Sequence, residues 1–414
     1  MAFNGIVFSS FLCQDVWCSS SSDSEAIEGA VAAERSEDME EERNSQRPDE
    51  RRETSVGQGR GGRRGRMRGS GRGQGRLLAQ QRANESFLWV RDVFDPTLTL
   101  YSSESGPQTT FTGVLEIFMQ MVGLVFFSNL VENTNLYGSS SASWCDTFVE
   151  EMKVFVGINI LMGIHRLPSY VDYWSSDPAL RVSYVADTMP RKRYEELCRY
   201  LHCSNPGMTD SGDKLHKVRP FMCVLQETFP KLLRPWKNLS VDEAMIKFDG
   251  RLLWKQYLPK KPVRWGIKIW CLCDSLTGYC LAFNVYTGRE GDVVADDLGL
   301  GYRVVMGLMS DYLYKNHHLY ADNFFSSIPL VKNLLRASTY YCGTIRPNRK
   351  FFPKDIMNSR LMRGDSLKQS AEGMTVCRWR DKRDVCFISS CGGSKDILDI
   401  LKPASKFTLS RSLC

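Results

Sequence analysis

Near residue 238 the spacing of apolar side chains changes from one in three or four to one in two. That change limits the folds open to this chain more than any other feature. Leu239, Val241, Ile246 and Phe248 mark an alternating strand over 239–248, and Asp242 stands among them. A carboxylate inside a half-buried strand costs desolvation energy unless it is paired, hydrogen-bonded or holding a metal. Gly250 ends the run and Arg251 follows at once. Further strand signals fall at 265–273, 279–286, 317–321 and 340–346, and the run 317–321 leads directly into Asp322. The first three strands are close enough in sequence for an antiparallel meander. With helices predicted over 296–314 and 328–336, the order β-β-β-α-β-α-β gives an α/β fold with a mixed sheet and helices over its faces. Two carboxylates on neighbouring strands, Asp242 and Asp322, form a natural divalent-metal pair.

Each acid also has a plainer reading. Asp242 fits a strand acid satisfied by backbone donors or by Arg251, and Asp322 fits an N-cap for a helix over 324–335. Glu243 and Asp249 read as solvated or orienting acids. Lys255, Lys260, Lys261, Arg264 and Lys268 surround one hairpin with Tyr257 and Trp265 interleaved, a pattern that suits a surface following phosphates. An ordinary solvated hairpin has the same composition.

Before residue 238 the pattern is helical. A long apolar run covers 113–127, an amphipathic helix is predicted over 144–164, and Pro190 opens another helix. A further helix over 217–233 is bounded by Pro220 and Pro230. After the fifth strand, 347–375 is polar and irregular. A hairpin follows over 374–380 and 384–390, turning on Asp381-Lys382-Arg383.

The first 85 residues read as a disordered arm. Residues 19–50 are rich in Ser and Glu, whereas 57–76 carry seven arginines among glycines and no acid. Arginines spaced by glycine make a flexible cation that follows a phosphate backbone with little sequence preference, so RNA or DNA contact or nuclear import is expected of it, the plainer reading being a solvated linker neutralised by the acidic block before it. The net charge of +7 allows a polyanionic partner without requiring one. Fourteen cysteines are scattered without a CxxC, and the five histidines show no paired metal spacing, so the thiols are expected to be free and mostly buried. No run approaches about 18 uninterrupted apolar residues, so no membrane span is expected.

Laid out in order, several segments resemble the piggyBac transposase family, including its domesticated transposable element-derived proteins. They are Asn133-Thr134-Asn135, Gly163, Asp172-Tyr173-Trp174-Ser175, Leu201-His202, Ser240-Val241-Asp242-Glu243 with Gly250-Arg251, and Gln256-Tyr257-Leu258-Pro259-Lys260-Lys261-Pro262. Gly266-Ile267-Lys268, Asp322-Asn323-Phe324-Phe325-Ser326-Ser327-Ile328-Pro329-Leu330, Gly343-Thr344-Ile345-Arg346 and Trp379-Arg380-Asp381-Lys382-Arg383 continue the match over roughly 105–390. The resemblance implies an RNase H-like catalytic domain behind a helical domain for dimer formation and DNA ends. It also implies cut-and-paste transposition at TTAA sites by aspartates holding two Mg²⁺ ions, with Asp242 and Asp322 as the first two aspartates. Hard carboxylate oxygens suit Mg²⁺ better than Cys or His. The nucleic-acid contacts expected are Arg251, Lys255, Lys260, Lys261, Arg264, Lys268 and Arg346. The family's third aspartate and cysteine-rich end have no counterpart in 391–414, where Asp396 and Asp399 are the available acids.

The organisation expected is therefore an arm over 1–85, a mainly helical dimerisation and DNA-binding domain over 86–235, an incomplete catalytic-type domain over 236–390, and a divergent tail over 391–414. The chain is expected to act in the nucleus as a DNA-binding homodimer without membrane contact, its cleavage chemistry incomplete.

Overall fold

The apolar run 113–127 forms two helices instead of one. Helix α1 (Val114–Val122) and helix α2 (Leu124–Gly138) meet at Gly123, whose φ of 80° lies in the region that glycine enters without strain, and the pair bends by 63°. The structure, a computed structural model, describes residues 87–91, 97–208, 212–248, 250–259, 261–288 and 298–391. The predicted arm, Asp249, Lys260 and the tail beyond Cys391 lie outside these residues. No single described helix is long and apolar enough to cross a membrane.

Helix α3 (Val149–Ile164) begins later than predicted, because the chain before it is held by a polar clamp. Asn135 on α2 bonds Thr147 from both ends of its amide: Nδ2 donates to the Thr147 carbonyl at 2.9 Å, and Oδ1 accepts its N–H at 2.8 Å. The neighbouring Asn133 Nδ2 reaches the Cys203 carbonyl at 3.2 Å, and Thr134 Oγ1 accepts the His202 N–H at 3.2 Å. Asn133-Thr134-Asn135 and Leu201-His202, remote in sequence, are thus two halves of one fastening.

A short helix α4 (Ser183–Ala186) and helix α5 (Arg191–Tyr200) follow, with Pro190 as the N-cap of α5. Arg193 of α5 grips Glu151 of α3 with two bonds of 2.8 and 2.7 Å, both side chains being mostly buried. The Arg193 hydrogen bond outweighs partial burial and holds the Glu151 carboxyl below its ordinary 4.5. The stabilisation is therefore present above the unfolded-state value and lost as pH falls through the lowered folded value. Glu151→Gln should cost about 1.5–3 kcal/mol at neutral pH. Urea midpoints should show the difference shrinking as pH drops below about 4.5.

Helix α6 (Arg219–Leu232) starts with Pro220 in its first turn but contains Pro230, which was expected to end it. It buries Phe221, Met222, Leu225 and Phe229 in a core that also takes Phe126, Phe127, Phe155 and, from the sheet, Ile246, Phe248, Ile267, Ile269 and Phe283.

A small pair, β1 (Gly106–Pro107) and β2 (Leu233–Arg234), precedes the main sheet. The first four long strands are β3 (Asn238–Lys247), β5 (Trp265–Asp274), β6 (Cys280–Val285) and β7 (His318–Ala321), with a two-residue β4 (Gln256–Tyr257) between β3 and β5. Helix α7 (Leu300–Leu308) precedes β7, and helix α8 (Ile328–Arg336) connects β7 to β8 (Tyr340–Thr344). The predicted irregular stretch 347–375 contains a further strand, β9 (Ser366–Ala371), which pairs with the hairpin of β10 (Met374–Arg380) and β11 (Asp384–Ser389). Its polar sequence Ser366-Leu367-Lys368-Gln369-Ser370-Ala371 lacks the alternation that marks a strand, and cross-strand pairing supplies the order instead.

Among the described residues the sheet runs β4-β5-β3-β7-β8-β11-β10-β9, and β6 shares the outer edge of β5. The antiparallel pairs β3–β5 and β5–β6 form the expected meander, whereas β7 and β8 run parallel to β3 and to each other. The switch from antiparallel to parallel neighbours falls on β3, the strand that carries Asp242.

Candidate functional site

Strands β3 and β7 bring the two predicted acids together. Their parallel register pairs Val241 with Ala321, so Asp242 and Asp322 are the next residues on adjacent strands, which lie about 4.8 Å apart. The Asp242 carboxyl is pushed above its ordinary 3.8, first by burial and further by the charge of Asp322, while the Glu243 N–H and Lys261 pull the other way. Asp242 Oδ1 accepts the Glu243 N–H at 2.7 Å and Asp322 Oδ1 accepts the Phe324 N–H at 2.9 Å. The second oxygen of each carboxylate takes no hydrogen bond from the described residues, and Arg251 is exposed and makes no bond to Asp242.

The helix after Asp322 is not capped by it. Helix α8 begins at Ile328, and its N-cap is Ser327, whose hydroxyl accepts the Leu330 N–H. Asp322 opens a tight turn five residues before that cap, so its side chain stays beside the strand end. Ser326 fixes that turn by donating from Oγ to the Asp322 carbonyl at 2.9 Å and sharing a 2.6 Å bond with the buried Tyr341 hydroxyl. Gly343 leaves room for this bond. A Cβ there would press on the Ala321 carbonyl oxygen and lie 2.8 Å from the Tyr341 hydroxyl.

The expected basic contacts divide into two groups. Lys268 Nζ lies 2.9 Å from Glu243 Oε2 and packs over the rings of Trp270, Tyr286 and Phe324, and Lys261 Nζ lies 3.6 Å from Glu243 Oε1. These two lysines are held by an acid next to Asp242. Glu243 orients cations, in line with its reading as an orienting acid. Lys255 donates to the Gly250 carbonyl at 2.9 Å and stands over Trp265, whereas Arg251 and Arg264 are exposed. Arg346 is exposed on the other side of the acid pair and donates to Asn323 Oδ1 at 2.9 Å.

Sequence reasoning missed Arg349. Its guanidinium donates to the Asn323 and Phe324 carbonyls at 2.8 and 2.7 Å, clamping the Asp322 turn. Burial, and then Arg346, lower its pKa, with Tyr341 and Asp322 opposing. Its Nε has no hydrogen-bond partner among the described residues. The one sequence signal was another arginine three positions beyond Gly343-Thr344-Ile345-Arg346.

For a divalent cation, two hard carboxylates that repel each other and keep one oxygen each unbonded are a fitting donor pair. No group of three His, Cys, Asp or Glu side chains able to hold a metal occurs among the described residues. The pair offers two hard-oxygen donors side by side, with Arg349 acting on Asp322 and Lys268 packed over Phe324 as positive charge nearby.

The sheet changes direction at the strand that carries Asp242, and Asp322 follows the end of its parallel neighbour. A family model described as "Transposase IS4" matches residues 115–405. PiggyBac transposable element-derived protein 3 of Homo sapiens is 30% identical over 294 residues, covering 69% of this chain and 48% of that protein. PiggyBac transposable element-derived protein 2 of Homo sapiens is 28% identical over 306 residues, covering 72% of this chain and 50% of that protein. The chain therefore spans about half the length of these curated relatives. A cryo-EM structure of the piggyBac transposase synaptic complex with hairpin DNA aligns with a TM-score of 0.64 at 28% identity, over 70% of this chain and 64% of that one. The chain belongs to the piggyBac transposase family.

Proposed function

We propose that this chain is a transposase-derived DNA-binding protein in which Asp242 and Asp322 hold a divalent ion, Mg²⁺ by the hardness of their oxygens. The observation that carries this reading is the juxtaposition of the two acids at equivalent places on parallel β3 and β7. The strand order β6-β5-β3-β7-β8, three antiparallel neighbours and then parallel ones, supports an RNase H-like catalytic unit. When bound, the ion would act as a Lewis acid on a phosphate oxygen. Lys268 and Arg349 would set the electrostatic field around the acids, and exposed Arg251, Arg264 and Arg346 would meet the DNA backbone. The solved relative is titled as a complex with hairpin DNA, which supports DNA as the partner.

The further assignments to TTAA sites, a homodimer and the nucleus belong to this same reading. In it the helical block 86–235 supplies the dimer and DNA-end contacts. This reading takes cleavage to be incomplete: the family's third aspartate has no recognised counterpart in the sequence, and no third carboxylate joins the pair among the described residues. Asp396 and Asp399 lie outside them. RNA held by the Arg/Gly arm is the other nucleic-acid reading.

Fluorescence anisotropy of the whole chain on a TTAA-bearing duplex tests the first part. Binding should weaken steeply with salt, by about a thousandfold for about six phosphate contacts between about 50 and 200 mM salt. Absence of duplex binding, with RNA bound through residues 1–85, would overturn it in favour of the arm. Mg²⁺-dependent nicking should not exceed that of Asp242→Asn. Clear cleavage that this substitution abolishes would overturn the incomplete site, and loss of that cleavage on replacing Asp396 or Asp399 would identify the acid that completes it.

A further inference from the structure

The basic hairpin has a feature that its charge does not explain. Tyr257 of β4 pairs with Trp265 of β5, and their ring centroids lie 4.6 Å apart at 33°. Tyr257 is 48% exposed and Trp265 37%, the one exposed tryptophan among the described residues. Ile267 and Ile269, next on the same face of β5, are buried in the core, whereas Trp265 is at the surface. Two large rings held there keep in water apolar area that folding ordinarily removes. Trp265 stands six residues before Cys271, the partner of Asp242 on β3, and so about 20 Å along the strand from the acid pair.

The hairpin fixes these rings in advance of any contact. The Leu258 N–H donates to the Arg264 carbonyl at 2.8 Å and the Lys261 N–H to the Leu258 carbonyl at 3.1 Å, which closes the tip. Pro259 and Pro262 lock φ within it. Lys261 Nζ ties the tip to β3, donating to the Glu243 carbonyl at 3.2 Å. Lys255 Nζ stands over the Trp265 ring at 5.5 Å, so part of that ring is taken and Tyr257 offers the more open face. Every charged residue from Arg251 to Lys268 is a cation, and Arg251 and Arg264 are exposed.

We propose that Tyr257, backed by Trp265, is a stacking platform for an unpaired base of DNA, with Arg251 and Arg264 meeting the adjoining phosphates. The site rests on the DNA-binding reading above and adds to it a preference for DNA structure. A run of cations without an acid selects a polyanion as the occupant, and the ring face selects a base, because every base has a π-face. In a fully paired duplex those faces are covered by the neighbouring bases. The platform then contributes nothing and the arginines act alone. A base outside the stack gains the ring contact, worth about tenfold in affinity. Because the rings are already held, little ordering is lost when the base lands.

Fluorescence anisotropy of the whole chain tests this on a paired duplex and on the same duplex with a short bubble of mismatched thymines, since both carry the same phosphates. The parent should bind the bubbled duplex about tenfold more tightly. Tyr257→Ala should bring that ratio to about one while changing affinity for the paired duplex less than about twofold, and Tyr257→Phe should keep the ratio. Iododeoxyuridine placed in the bubble should photocrosslink the parent at a peptide containing Tyr257 or Trp265, a result that needs no variant to fold. Equal binding of the two duplexes by the parent, a ratio that survives Tyr257→Ala, or a crosslink confined to other peptides overturns the platform and leaves DNA binding in place. Failure of the parent to bind either duplex overturns both.

Discussion

Gly343→Ala will destabilise the protein by about 3 kcal/mol and release the turn that carries Asp322. The methyl group has nowhere to go. It would press on the Ala321 carbonyl oxygen of β7 and lie 2.8 Å from the Tyr341 hydroxyl and 3.1 Å from Ser326 Oγ. Of these neighbours, Ala321 is backbone in a paired parallel strand, and Tyr341 is fully buried, so neither gives way cheaply. If β8 shifts, the Ala321–Gly343 pairing opens; if Tyr341 shifts, Ser326, whose hydroxyl donates to the Asp322 carbonyl, loses its buried partner. Either route displaces Asp322 from Asp242. Gly157→Ala is the matched control: it lies inside α3 with nothing within 4 Å of the added carbon, so alanine there should stabilise by up to about 1 kcal/mol. Urea unfolding of both variants beside the parent measures the contrast, and equal midpoints for all three would contradict the packing described around Gly343.

Where burial alternates or follows helical spacing, the elements were legible before the structure. Strand β3 and helix α8 lie within a residue of their expected bounds, and the β10–β11 hairpin ends one residue early. The elements that were missed owe their form to contacts distant in sequence. β9 is a polar strand ordered by pairing to β10, α3 starts late because Asn135 holds Thr147, and α1 separates from α2 at one glycine. The same division holds at the site. Asp242 and Asp322 could be picked out as acids against an apolar pattern, and a parallel register then joined them. Glu243 as the seat for two lysines, and Arg349 as the clamp on the Asp322 turn, depend on side chains folding back from 18, 25 and 26 residues away, which periodicity does not encode.

Asp242→Asn provides the second large effect. Burial and the neighbouring Asp322 charge both work against an ionised Asp242 in the folded protein. A neutral isostere relieves that cost, so without divalent ions the variant should melt above the parent. Mg²⁺ changes the comparison, because an ion bound between the two carboxylates removes their repulsion and binds only the folded chain. At ten times its dissociation constant it should add about 1.4 kcal/mol to the parent. Asp242→Asn and Asp322→Asn each retain a single acid and should gain almost nothing.

The direct test of a divalent-ion site between β3 and β7 is therefore the melting temperature of the whole chain titrated with MgCl₂, for the parent, Asp242→Asn and Asp322→Asn. The site described here predicts a saturable rise in the parent that is lost in both variants. An equal rise in all three, or none in the parent, would contradict it.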